Sequence, residues 1–260
     1  MRMRASLRER RRQVIYVVPN LFTTGNLFCG LYAIIAVVGA DYVKAAAAIL
    51  VALIFDMLDG QSARWTKTTS QFGIEYDSLA DLVSFGVAPG VLIYSWALSG
   101  YGVLGLAVVF AFVGCGALRL ARYNVLTATS DPRYFLGLPI PAAAAALVTL
   151  MLLDHHILRL GQEVKPVLIL IVALVLAFLM VSTIKYTKFK GMQLRAGEGF
   201  MYLVWAVLGL MLIVAAPQIA LFALFAGYAL SGVVMLVVNL VRRTARRGVE
   251  PERAPSELKE

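Results

Sequence analysis

Phe55 to Asp81 reads FDMLDGQSARWTKTTSQFGIEYDSLAD, and its four aspartates decide how the chain is to be read. Asp56 and Asp59 lie three residues apart and share one face of a helix; Asp77 and Asp81 lie four apart and share another. The first pair closes one apolar run and the second opens the next. The turn between them falls around Thr66 to Gln71, so the spacing predicts a helical hairpin that brings both pairs to one depth. Charges inside apolar spans are costly and mark function by default. Four carboxylates cannot converge unpaired, because like charges force some to protonate. Arg64 supplies a single positive charge. Two divalent cations would balance the set, and oxygen donors without His or Cys select Mg²⁺ or Mn²⁺ over Zn²⁺. Paired metals bridged by carboxylates suit displacement at phosphorus. Gly60 and Gly73 remove side chains beside the aspartates and let a ligand or backbone come close. Ala63 keeps the same face open, and Arg64 can clamp a phosphate.

The rest of the chain says what surrounds this hairpin. Of 260 residues, 60% are hydrophobic and 15% charged, and mean hydropathy is +0.80. Ordinary soluble domains have about 45–50% apolar and roughly 25% charged residues. A water-facing domain cannot hide this much apolar surface, so the solvent is lipid. That excludes a soluble enzyme, a disordered chain and a secreted disulfide scaffold. The two cysteines, Cys29 and Cys115, sit in apolar runs and read as small buried hydrophobes.

Apolar runs long enough to span recur near 20–39, 43–65, 73–98, 101–123, 138–157, 165–184, 199–216 and 218–240. The predicted fold is all-α, a polytopic membrane protein of about eight transmembrane helices. Asp41 and Lys44 mark one turn, Gly100 and Gly102 another, and Asp131-Pro132 opens a polar loop. Pro217-Gln218 divides the last apolar stretch. An even number of spans places 21 of the 24 Lys and Arg on one side and leaves Lys44, Arg159 and Lys165 on the other. The positive-inside rule then puts both termini, and the carboxylate hairpin, on the cytoplasmic face of the cell (inner) membrane. Residues 1–18 form a basic juxtamembrane segment, 19–241 the transmembrane domain and 242–260 a disordered cytoplasmic tail. The net charge of +9 does not signal nucleic acid, because the positive residues sit in short clusters between apolar runs.

Asp56-x-x-Asp59-Gly60-x-x-Ala63-Arg64, eight residues, then Gly73-x-x-x-Asp77-x-x-x-Asp81 resembles the signature of the CDP-alcohol phosphotransferases, and all eight signature positions match. At roughly one chance in fifteen per position, a random match at a given start is on the order of 10⁻⁹. The resemblance implies an integral membrane enzyme with a six-helix catalytic core, usually a homodimer. Such enzymes take a CDP-linked lipid, here CDP-diacylglycerol, and transfer its phosphatidyl group to an alcohol with release of CMP. It further implies that Asp56, Asp59 and Asp77 hold two Mg²⁺ or Mn²⁺ ions, which Asp81 also approaches, and that Asp81 is the general base. Gly60, Ala63, Arg64 and Gly73 would line the cytidine-diphosphate pocket.

The signature does not name the acceptor, but other segments resemble the serine-accepting branch of the family. They are Pro19 to Thr23, Asn26 to Gly30, Asp77 to Pro89, Arg119 to Asn124 and Gly137 to Pro141. That resemblance implies L-serine as acceptor and phosphatidylserine as product. Serine is a zwitterion whose carboxylate wants a cation. Arg119 and Arg122, three apart, are candidates for that carboxylate or for a lipid phosphate, with plain topology anchoring as the alternative. Asn20 and Asn124 could bridge substrate or bond between helices. Glu75 is expected to point away or to pair with Lys67. A phosphorylated acceptor, glycerol 3-phosphate or an inositol phosphate, stays open, as does an ether-linked lipid. An ion-coupled transporter fits less well, because the charges gather at one leaflet and transporter sites lie at the midplane.

Overall fold

The computed structural model describes residues 2–66, 70–126, 134–161, 163–187 and 214–247, with 201, 204, 207, 209 and 211 between the last two segments. Helix α1 runs Arg2–Val38 and contains Pro19. A tight turn through Ala40, which has φ 57°, leads to α2, Tyr42–Thr66. Helix α3, Gln71–Asp81, passes without a break into a π-helical segment, Leu82–Val87. Short α4, Ala88–Ile93, follows, then a second π segment, Tyr94–Leu98. Helix α5 is Gly102–Leu126, α6 is Ile140–Leu153, α7 is Val164–Val181 and α8 is Pro217–Arg247.

Five helical stretches among the described residues are long and apolar enough to cross a membrane: Pro19–Val38, Gln71–Leu126, Ile140–Leu158, Val164–Val181 and Pro217–Met235. The chain is a helical membrane protein. The second stretch has 56 residues, well over twice the roughly 20 that one crossing needs. It folds back on itself at Gly102, whose φ of 52° suits glycine. A Cβ on Gly90 would meet Val109 and Val113 at 3.1 and 3.2 Å, so α4 and α5 pack antiparallel at close range. The glycines foreseen as a turn thus make one.

Helix α6 is the buried centre. Ala142 to Ala146 are all buried, and these small side chains let α2, α7 and α8 approach. Large apolar side chains point outward instead on the peripheral helices, among them Phe28, Ile35, Phe110 and Phe178. In water that surface would be a liability; in lipid it is the expected exterior.

Composition gave no hint of one feature. Strand β1, Tyr134–Leu136, pairs antiparallel with β2, Lys185–Thr187, in the register Phe135 to Tyr186. Gly137 follows at φ 76°, and a Cβ there would strike the Met180 carbonyl. Its N–H donates to Ile184 O at 2.9 Å, and Leu138 N–H to Leu179 O at 3.0 Å. The resulting strap pins the chain before α6 to the end of α7. The expected polar loop at Asp131-Pro132, the side chains of Ala63 and Arg64, Lys67, and the tail beyond residue 247 lie outside the described residues.

Candidate active site

Three helices bring the carboxylates together. Helix α1 packs along α2 and also touches α3, so the hairpin predicted from Phe55–Asp81 is braced from one side. The start of α3 is fixed by Ser70, which caps it with φ −113° and ψ 150° and accepts from Gly73 N–H at 3.0 Å. That cap sets the phase that turns Asp77 and Asp81 toward α2. One oxygen each of Asp56, Asp59 and Asp77 lies within 4.8 Å of the others. Asp59 is 6% and Asp81 7% exposed. Asp77 Oδ1 is buried with no hydrogen-bond partner among the described residues. A buried carboxylate oxygen left without a donor wants a cation. The donor set is oxygen only, which suits Mg²⁺ or Mn²⁺, so the residues fit the metals that the signature implies.

Asp56, Asp77 and Asp81 line a cavity of about 780 Å³ together with Arg119 of α5. Arg119 is 7% exposed and lies 5.5 Å over the Tyr123 ring. The rest of the lining is largely apolar and includes Leu53, Pro139 and Phe225. The site therefore has a charged end for a phosphate head and a greasy wall between helices for a lipid tail.

The other expected residues divide. Gly73 stands next to Asn20: a Cβ there would be 3.5 Å from Asn20 Oδ1 and 3.1 Å from Ser70 Oγ. Gly60 lies in α2, one residue beyond Asp59. Arg122, unlike Arg119, is not part of the cavity lining. Its guanidinium donates to the carbonyls of Val181 (2.8 Å), Ser182 (3.0 Å) and Leu136 (3.1 Å), locking the strap onto α5. Asn124 bonds between helices, donating to Ser78 Oγ at 3.0 Å and Glu75 Oε2 at 3.3 Å. Glu75 also accepts from Gln71 at 2.6 Å.

Sequence reasoning missed three contributors. Thr23 donates to Asp59 Oδ2 at 3.0 Å and Asn26 to Asp81 Oδ1 at 3.0 Å. Both lie in segments already noted for their resemblance, and polar residues in an apolar helix were the available signal. Tyr228 of α8 lines the cavity; nothing in its own segment marks it.

A family model described as CDP-alcohol phosphatidyltransferase matches residues 16–251. The chain belongs to that family. A CDP-diacylglycerol–serine O-phosphatidyltransferase of Helicobacter pylori strain J99 is 41% identical over 230 residues, covering 88% of this chain and 94% of that protein. One of Methanocaldococcus jannaschii is 35% identical over 224 residues, covering 86% and 96%. An archaetidylserine synthase of Methanothermobacter thermautotrophicus is 37% identical over 177 residues, covering 67% and 71%. The chain is thus a transferase of phospholipid biosynthesis, embedded in a membrane by its apolar helices.

Proposed function

We propose that this enzyme transfers the phosphatidyl group of CDP-diacylglycerol to the hydroxyl of L-serine, giving phosphatidylserine and CMP. The observation that carries the reading is the convergence of Asp56, Asp77, Asp81 and Arg119 on one cavity with an apolar wall. The names of the relatives support serine as the acceptor. Asp56, Asp59 and Asp77 would hold two Mg²⁺ or Mn²⁺ ions, with Asp81 beside them; when bound, these neutralise the pyrophosphate and polarise the attacked phosphorus.

The chain's own groups do the rest. Asp81 accepts the proton of the serine hydroxyl as its oxygen bonds to the lipid-bearing phosphorus. The bond from that phosphorus to the bridging oxygen breaks, and CMP leaves with the electron pair. Arg119, buried and next to the aspartates, is placed for the serine carboxylate. Gly60, Ala63, Arg64 and Gly73 form the cytidine-diphosphate side, with Asn20 adjoining Gly73. With three donors on carbonyls, Arg122 acts on acceptor or phosphate through the strap more than by contact. The acyl chains lie along the apolar wall, in contact with membrane lipid.

The chain crosses the inner membrane eight times around a six-helix catalytic core. Both termini and the mouth of the site face the cytoplasm, and the enzyme works as a homodimer. The positive-inside distribution and the family resemblance support this arrangement.

The test is CMP release from CDP-diacylglycerol by the purified protein with Mn²⁺ or Mg²⁺ and one acceptor at a time. Release with L-serine, and none with glycerol 3-phosphate or an inositol phosphate, is expected. Release with a phosphorylated alcohol alone would keep the aspartates and discard the serine reading. A CDP-linked ether lipid in place of the diacyl donor tests the lipid half.

A further inference from the structure

Helix α1 contributes nothing to the signature, yet it touches the site at two buried points. Thr23 is 3% and Asn26 0% exposed. They are three residues apart and share one face. Neither lines the cavity; their contacts are with the aspartates. A buried hydroxyl or amide in an apolar helix costs about 1–3 kcal/mol unless it finds a partner, and the partners found here are two of the site's aspartates.

Resting on the reaction proposed above, we infer that Thr23 and Asn26 are positioning residues, which aim the carboxylates of Asp59 and Asp81 respectively. The Thr23 hydroxyl has one proton and two acceptors in reach, Pro19 O at 3.2 Å and Asp59 Oδ2 at 3.0 Å. A threonine within a helix ordinarily bonds the carbonyl one turn back. An ionised carboxylate is the stronger acceptor, so the proton goes to Asp59 and fixes the rotation of its carboxylate in the metal cluster. Asn26 works on the base. Its Nδ2 donates to Asp81 Oδ1, which holds that oxygen as an acceptor and leaves Oδ2 to take the proton of the acceptor alcohol.

The backbone makes this second bond reproducible. After Asp81 the chain widens into the π segment Leu82–Val87. π-helical turns recur at functional sites, and this one points Ser84 at α1. Ser84 Oγ donates to the carbonyl of Asn26 at 2.9 Å. One turn further along α1 is Gly30, where a Cβ would lie 2.8 Å from Ser84 Cα. Residue 84 is therefore seated on α1 at two points, and the register between Asn26 and Asp81 is fixed. The resemblance noted for Asn26 to Gly30 and for Asp77 to Pro89 gains a physical reason, since each segment carries one half of this contact.

The experiment uses the full chain in detergent and two readouts, Mn²⁺ binding followed by electron paramagnetic resonance and steady-state CMP release. Thr23→Val removes the hydroxyl at nearly constant volume, and Thr23→Ser keeps it. Thr23→Val is expected to weaken Mn²⁺ binding about 10–100-fold, as loss of an outer-shell partner does, and Thr23→Ser to restore it. Asn26→Leu is expected to lower kcat about 10–100-fold while Mn²⁺ affinity and the KM for CDP-diacylglycerol stay near wild type. Should Asn26→Leu fail to fold, Ser84→Ala frees the Asn26 backbone carbonyl, loosens the register between Asn26 and Asp81, and is expected to lower kcat alone. Wild-type Mn²⁺ affinity in Thr23→Val would overturn the Thr23 role. Parallel loss of Mn²⁺ affinity and kcat in Asn26→Leu or Ser84→Ala would overturn the Asn26 role, because it would mark a packing defect. If the wild type releases CMP with no alcohol, the proposed reaction fails, and the Mn²⁺ titrations still decide the Thr23 role without turnover.

Discussion

Two groups of buried carboxylates stand at separate places in this helical bundle, and they are treated oppositely. Asp154, 2% exposed at the end of α6, has a cation and a backbone donor beside it. Lys165 Nζ lies 3.2 Å from its Oδ2, and Leu160 N–H donates to its Oδ1 at 2.7 Å. The ammonium of Lys165 also sits 4.8 Å from the Trp96 ring centroid. Asp56, Asp59 and Asp77 crowd one another instead. They leave Asp77 Oδ1 with no donor among the described residues. A carboxylate that a fold has supplied with its own cation is architecture. A cluster that a fold has assembled and left in need is a site, because proteins accept local conflict where function requires it.

The largest effect expected of this contrast is in rate. Asp81→Asn keeps the shape and removes the base. CMP release should fall by about 10²–10⁴-fold, the usual contribution of a general base, while CDP-diacylglycerol still binds. The matching Asp154→Asn variant should turn over at the wild-type rate. Comparable losses in both variants, measured as CMP release at saturating substrate, would dissolve the distinction between the two groups.

The next effect is in stability, and it reverses the ranking. Removing one partner of a buried ion pair costs about 3–5 kcal/mol when both are fully enclosed. Lys165 is 16% exposed along its side chain and can swing toward solvent. Asp154→Ala is therefore expected to cost about 2–3 kcal/mol, allowing for that screening. A lowered unfolding midpoint in detergent micelles, with unchanged kcat, is the outcome that fits.

A smaller effect of opposite sign is expected at Asp77. Without metal, its charge is repelled by Asp56 and Asp59, so Asp77→Asn should stabilise the protein in EDTA by about 1 kcal/mol. Saturating Mn²⁺ should reverse the order, since a ligand at a hundred times its Kd stabilises only the form that binds it, by about 2.7 kcal/mol. Unfolding midpoints of both proteins, with EDTA and with Mn²⁺, give the four values needed. An Asp77→Asn variant less stable than wild type in EDTA would mean the cluster is compensated as Asp154 is.

This contrast also explains what could be read in advance. The aspartate hairpin was legible because carboxylates are scarce in apolar runs, and helical spacing alone tells which of them share a face. The turns at Asp41 and Gly102 were legible for similar local reasons. Arg119 and Arg122 looked alike, being three apart on one helix. Only the fold separates them, since the acceptors of Arg122 are backbone carbonyls of Leu136, Val181 and Ser182, atoms that every residue type carries. For Glu75 the sequence offers pointing away or pairing with Lys67, which lies outside the described residues; among those described its bonds go to Gln71 and to Asn124 on α5. Thr23 and Asn26 were ambiguous because a polar residue in an apolar helix serves substrate or neighbour equally well on paper. The widening into a π segment after Asp81 leaves no mark in periodicity over six residues.

The smallest effect is expected where burial is absent. Asp41 and Lys44 form an ion pair of 2.7 Å in the exposed turn between α1 and α2. The hydrogen bond from Lys44 holds the Asp41 carboxyl below the ordinary carboxylate range. A depressed carboxylate contributes stability that is present above the unfolded value, about 3.9 for aspartate, and is lost as pH falls through the lower folded one. Whatever the pair contributes is therefore complete at pH 7 and disappears only in acid. Exposed pairs are also screened by salt and by water. Lys44→Ala should leave the unfolding midpoint at pH 7 unchanged, in contrast to Asp154→Ala under the same conditions. A shift as large as that of Asp154→Ala would mean that enclosure is not what separates the ion pairs of this protein, and the argument from unmet need at the aspartate cluster would lose its physical basis.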